Sequence, residues 1–168
     1  MTKYSLTAAF AIVSIILDVL TKNYIVQNFE YGTFRPVTKY FSIVHVHNSG
    51  AAFGFLNKVP EGFRIPLFVV ITLVAVGVIG TLVFKAAPNK LAYIAGLGLV
   101  LGGAVGNFID RIRFGYVIDF LDFFIGANHW PAFNVADIAI SVGVGLLLLD
   151  MLKEERKERA GKAAAAKS

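Results

Sequence analysis

The sequence predicts an all-α integral membrane protein: four transmembrane helices with a small extracytoplasmic β-sheet platform. Three observations predict it. Hydrophobic residues fill 57% of the 168 positions and mean hydropathy is +0.69, above the roughly 45–50% apolar usage of soluble domains. The runs 65–84 and 91–109 contain no charged residue, and each is about 30 Å long as a helix, the thickness of a bilayer's hydrocarbon core. Between the first apolar run and these two lies a mixed polar and aromatic stretch with Gly32, Pro36 and Pro60 as breakers. It contains the alternating run Tyr40-Phe-Ser-Ile-Val-His45-Val-His47, and period-two alternation favours a short strand or hairpin.

The elements follow in order. Residues 5–26 form the first span: the apolar pattern continues through Asp18 and Lys22 with no small-residue cleavage site, so this is a retained helix rather than a removed leader. Asp18 and Lys22, four residues apart, share a helix face and can pair. The extracytoplasmic β region covers about 31–57 and includes Asn48-Ser-Gly50-Ala-Ala-Phe53-Gly, small residues that allow close backbone approach. Residues 65–84 are the second span and 85–90 a short basic turn. Residues 91–109 are the third span, in which Gly98, Gly102 and Gly106 make a small-residue stripe suited to close helix packing. A second extramembrane connection over 111–131 leads to the fourth span, 133–151, interrupted by Asp137 and Asp150. Residues 1–152 thus form one membrane-embedded domain, and 153–168 a basic tail.

Four spans place both termini on one side. Lys3, Lys85, Lys90 and the tail cations Lys153, Arg156, Lys157, Arg159, Lys162 and Lys167 fall there, and the positive-inside rule assigns that side to the cytoplasm. Lys39, Lys58, Arg64, Arg111 and Arg113 oppose the bias, and the tail decides it. Because the net charge of +5 concentrates in this tail, the basicity points to anionic lipid and not to nucleic acid. Asp18, Lys22, Asn107, Asp110, Arg111, Asp119, Asn134 and Asp137 all converge on the opposite, outer face.

The chain has no cysteine, which excludes disulfides and thiolate chemistry. Its histidines are His45, His47 and His129, and no nucleophile-elbow motif accompanies them, so a serine triad is unsupported. No His-Glu-x-x-His zinc motif is present; His45 and His47 would share one strand face as half-exposed polar positions, and no metal or cofactor is implied. Paired carboxylates remain. Two aspartates brought close cannot both ionise easily, so one keeps a proton while the other activates water. Asp119 and Asp137 are the natural pair, each at the edge of a membrane segment where desolvation raises a carboxyl pKa. The alternative is that these acids pair with Arg111, Arg113 or Lys22, or sit at a helix N-terminus. Asp122 would face as Asp119 does on a helical turn and competes with it. A proton-coupled transporter would place its acids near the midplane between repeats, and a non-enzymatic assembly subunit has only the glycine stripe in its favour.

The motifs Asp18-Val-Leu-Thr21-Lys22, Asn48-Ser-Gly50-Ala-Ala-Phe53, Gly106-Asn107-Phe-Ile-Asp110-Arg111, Val117-Ile-Asp119-Phe120 and Phe133-Asn134-Val-Ala136-Asp137 together resemble the lipoprotein signal peptidase, or type II signal peptidase, family, in that order along the chain. The resemblance implies a bacterial inner-membrane aspartic endopeptidase acting on prolipoproteins whose cysteine already carries diacylglycerol, and cutting on the amino side of that cysteine. It implies Asp119 and Asp137 as the catalytic dyad. Asp18, Lys22, Asn48, Gly50, Asn107, Asp110, Arg111, Asn134 and Ala136 would line or support the site. It further implies a monomer, membrane lipid as surroundings, and inhibition by globomycin-type cyclic peptides. One departure is visible: many relatives carry glutamine where this chain has Val19.

Overall fold

The computed structural model describes residues 2–50 and 59–165. Along the chain run α1 (Lys3–Asn28), β1 (Phe34–Thr38), β2 (Phe41–Asn48), α2 (Glu61–Lys85), α3 (Leu91–Phe114), β3 (Val117–Ile125), β4 (Asn128–His129) and α4 (Val135–Ala165). All four helices are long and apolar enough to cross a membrane. Each runs past the apolar stretch that announced it at one end or both, because polar residues continue a helix beyond hydrocarbon, whereas α4 starts two residues later than expected, at Val135. The largest difference is α4, which continues through the basic tail, where Arg159 pairs with Glu155 and Lys157 lies 3.7 Å from Glu154. Such pairs, three and four residues apart, support an exposed helix.

The four strands form one antiparallel sheet in the order β1-β2-β3-β4. It sits at the end of the bundle where α1 and α3 finish and α2 and α4 begin. At the other end Lys3 donates to the carbonyls of Phe84 and Ala86, and Lys90 lies 3.2 Å from Asp150. The expected β region ran to residue 57; its part over 51–57, including Phe53, lies outside the described residues. The connection 111–131, expected as a loop, instead contains β3 and β4. The segment Val117-Ile-Asp-Phe-Leu-Asp-Phe-Phe-Ile does not alternate because its first half is buried on both faces, which hides the period of two. Gly115, at φ +80°, ends α3 and turns the chain into β3.

Helix α3 is the hub. A Cβ at Gly98 or Gly102 would lie 2.6 Å from the carbonyl oxygen of Thr7 or Ala11, and one at Gly106 would lie 2.6 Å from Asp18 Oδ2. This stripe seats α1. A second set, Gly96 and Gly103, seats α4 against Gly143 and the Ala136 carbonyl. Helix α2 packs on α3 through Ile79, Val83 and Leu97. Ile25, Ile118 and Phe120 form the core that fastens the sheet to the bundle. Gly106→Ala is expected to cost about 1–3 kcal/mol of stability through overpacking, since Asp18 is held on both oxygens and cannot retreat. Thermal unfolding in micelles measures this; an unchanged midpoint would show that α1 and α3 separate freely.

Candidate active site

Asp137 and Asn134 owe their positions to the start of α4. Asn134 precedes the helix: its Oδ1 accepts from the Asp137 backbone N–H at 3.0 Å, and Asp137 Oδ2 accepts from the Asn134 N–H at 3.2 Å. This reciprocal capping satisfies helix donors that would otherwise be orphaned. It also points the Asn134 amide at the sheet, where Nδ2 donates to Asp119 Oδ1 at 2.7 Å. One asparagine therefore links the two carboxyls expected as a dyad.

Asp119 reaches the site from β3, and a bulge in β2 brings it a second partner. Ile43 pairs with Leu121 and Val46 with Asp119, so two residues of β2 oppose the single Phe120. The extra residue reverses the alternation of β2. Asn48, two residues from Val46, is thereby placed on Asp119's face and donates to Asp119 Oδ2 at 3.0 Å. Asn48 Oδ1 in turn accepts the Gly50 N–H at 3.1 Å. Asp119 is only 2% exposed. Burial, and then the nearby Asp137 carboxylate, push its carboxyl up to about 7, against the pull of the Asn48 and Asn134 donors and the Lys22 charge. Removing one donor has a definite sign: Asn48→Ala is expected to raise Asp119 further, moving the alkaline limb of a pH–rate profile upward. A limb that moved down would contradict this placement.

Behind the pair is a buried ionic centre. Lys22 Nζ lies 2.8 Å from Asp18 Oδ2 and 2.9 Å from Asp110 Oδ2, and donates to Asn107 Oδ1 at 3.0 Å. An ammonium only donates, so Asn107 must turn its oxygen toward Lys22. Its Nδ2 then donates to Asp137 Oδ1 at 2.8 Å, and Asn107 Oδ1 also accepts from Asn134 Nδ2 at 3.2 Å. Asp18 Oδ1 accepts the Ala136 N–H at 2.9 Å, and Asp110 Oδ2 the Ile118 N–H at 3.1 Å. The same carboxylates thus fix the starts of α4 and β3. Arg111 donates to the carbonyls of Asn107 and Gly50 and lies over the Phe68 ring at 4.1 Å.

A cavity of about 480 Å³ opens beside this network, lined by Asn48, Asn107, Arg111 and Asp137 and by Trp130 to Phe133. Its polar lining is joined by apolar Val117, Ile138, Ile140 and Val142. The family model for Signal peptidase (SPase) II matches residues 10–153. The chain belongs to the signal peptidase II family. It is 44% identical over 156 residues to a lipoprotein signal peptidase of Maridesulfovibrio salexigens, covering 92% of this chain and 100% of that one. With its counterpart from Cupriavidus pinatubonensis it shares 48% over 149 residues, covering 89% and 84%. A solved bacterial membrane enzyme superposes with a TM-score of 0.79 at 30% identity, covering 89% of this chain and 88% of that one.

The eleven residues expected at the signal peptidase II site on the strength of the motifs all lie in or against this network. Asp122 does not. In a strand, residues three apart face opposite ways, so the expected competition with Asp119 is corrected: Asp122 accepts from Ser42 Oγ at 2.7 Å and lies 3.0 Å from His129 Nδ1 on the far face. His45 and His47 share that far side. The His47 ring stacks on Tyr116 at 3.8 Å, and burial followed by the proximity of His45 lowers its pKa. Sequence reasoning missed the bulge and the Lys22–Asn107 contact. The bulge had a signal in the sequence: the apolar positions shift from odd, Phe41 and Ile43, to even, Val44 and Val46.

Proposed function

We propose that the chain is an aspartic endopeptidase that removes signal peptides from diacylglyceryl-modified prolipoproteins, cutting on the amino side of the lipidated cysteine. The observation that carries this reading is the Asn134 bridge between two carboxyls, one of which holds its proton to about pH 7. Asp137, which lines the cavity, accepts on both oxygens, from Asn107 Nδ2 and from the Asn134 backbone N–H. Asp137 then takes a proton from water as the water attacks the scissile carbonyl, while protonated Asp119 donates to the developing oxyanion. The proton passes to the leaving amine as the tetrahedral intermediate collapses. Since the two titrate as a unit, their roles exchange along the reaction.

In this reading the chain acts as a monomer in the bacterial inner membrane, with termini and basic tail in the cytoplasm and the sheet on the periplasmic side. Prolipoprotein reaches the cavity from the lipid, and globomycin-type cyclic peptides occupy the same space. Full-length protein in micelles should cut a diacylglyceryl prolipoprotein before the cysteine, with or without chelator. Cleavage elsewhere, or loss of turnover on chelation, would count against it.

A further inference from the structure

Ser141 lies one helical turn beyond Asp137 on α4 and lines the same cavity. The other serine and threonine hydroxyls within the spans donate to backbone carbonyls nearby in sequence. Thr7, Ser14, Thr21, Thr72 and Thr81 each donate to the carbonyl four residues earlier. Ser141 hydrogen-bonds to none of the described residues, and its neighbours Ile138 and Val142 are exposed on the lipid-facing surface. A donor left without an acceptor in hydrocarbon is unfavourable, so the cavity's occupant is the natural source of one.

We propose that the Ser141 hydroxyl donates to an ester carbonyl of the substrate's diacylglyceryl group. The proposal rests on the prolipoprotein peptidase reading and specifies which part of the substrate this wall receives. Four residues of helix set Ser141 about 6 Å deeper than Asp137, away from the sheet. With the scissile carbonyl at the dyad, the cysteine sulfur and glyceryl carbons span a comparable distance, bringing the first polar atoms of the lipid level with Ser141. Below them Val142 offers only apolar surface, suited to an acyl chain. Ser141 is a binding residue that selects for ester-linked lipid and takes no part in bond cleavage.

The test compares full-length wild type and Ser141→Ala on two prolipoprotein peptides, one with S-diacylglyceryl cysteine and one with its dialkyl ether counterpart, which lacks the ester carbonyls. For the ester substrate, Ser141→Ala should raise KM about three- to tenfold, as expected for one neutral hydrogen bond, with kcat unchanged. Ser141→Thr, which keeps the hydroxyl, should restore the wild-type KM. Against the ether substrate, wild type should already show the raised KM and Ser141→Ala should add nothing. Equal losses on both substrates would place the hydroxyl on a peptide carbonyl and overturn the proposal, as would an unchanged KM on the ester. If wild type cut neither peptide, the peptidase reading itself would fall; cleavage of the ester with an indifferent Ser141 would sink only this assignment.

Discussion

Asp119→Asn and Asp137→Asn are each expected to lower kcat by about 10³-fold or more, the scale on which acid–base partners act. The double variant should lose little beyond either single one, because residues that work as a unit are not additive. Asparagine keeps the size of the side chain and can still meet Asn134, so folding should survive. For Asp119 a second effect separates chemistry from structure. The unfolded carboxyl ionises near 3.8 while the folded one holds its proton to about 7, so this residue's contribution to stability is full below about pH 4 and is lost as pH rises through 7. Asp119→Asn does not titrate. Its melting temperature relative to wild type should therefore climb between about pH 4 and about pH 7 and level off above that, even as activity is absent throughout. A difference that stayed flat with pH would mean that Asp119 ionises as an ordinary surface acid.

Lys22→Met carries the largest expected loss of stability, about 3–5 kcal/mol, the usual result of removing one partner from a buried ion pair. Two carboxylates, Asp18 and Asp110, would be left buried around an apolar side chain. The loss should extend to activity. Without the ammonium, Asn107 Oδ1 keeps only the longer contact from Asn134 Nδ2, so the amide that donates to Asp137 is held less firmly. Chemical denaturation in micelles reads the first effect, and cleavage at a temperature where the variant is still folded reads the second. Combining Lys22→Met with Asp18→Asn and Asp110→Asn should recover much of the stability, since the uncompensated charges are then gone. If the single variant unfolded at the wild-type midpoint, the ionic centre would be reachable by water and Lys22 would not be neutralising buried charge.

The helices were legible because uncharged runs of bilayer length admit few other structures. The sheet was half legible: β2 announces itself by alternation, whereas β3 conceals it under residues buried on both sides. The assignment of Asp122 failed for the same reason, since its face depends on whether 117–125 is helix or strand. Asp18 and Lys22 were readable as a local pair from their spacing, but Asp110 and Asn107 complete that centre from another helix, and spacing carries no information across α1 and α3. The glycine stripe at 98, 102 and 106 was visible as a pattern. What it accommodates at its last position, an oxygen of a buried carboxylate, was not.

The single extra residue in β2 makes a count matter as much as chemistry. Upstream of the bulge, odd-numbered positions of β2 share Asp119's face; downstream, even-numbered ones do. If β2 kept all its residues but ran flat, without the bulge between Ile43 and Val46, Ile43 would keep its face and Asn48 would rotate to the far side of the sheet. Turns at the ends of the bundle can change length over evolutionary time without reaching the dyad. Between Ile43 and Asn48 a change in length has to come with a change in the bulge, and that parity is a constraint that comparing residue types alone would never reveal.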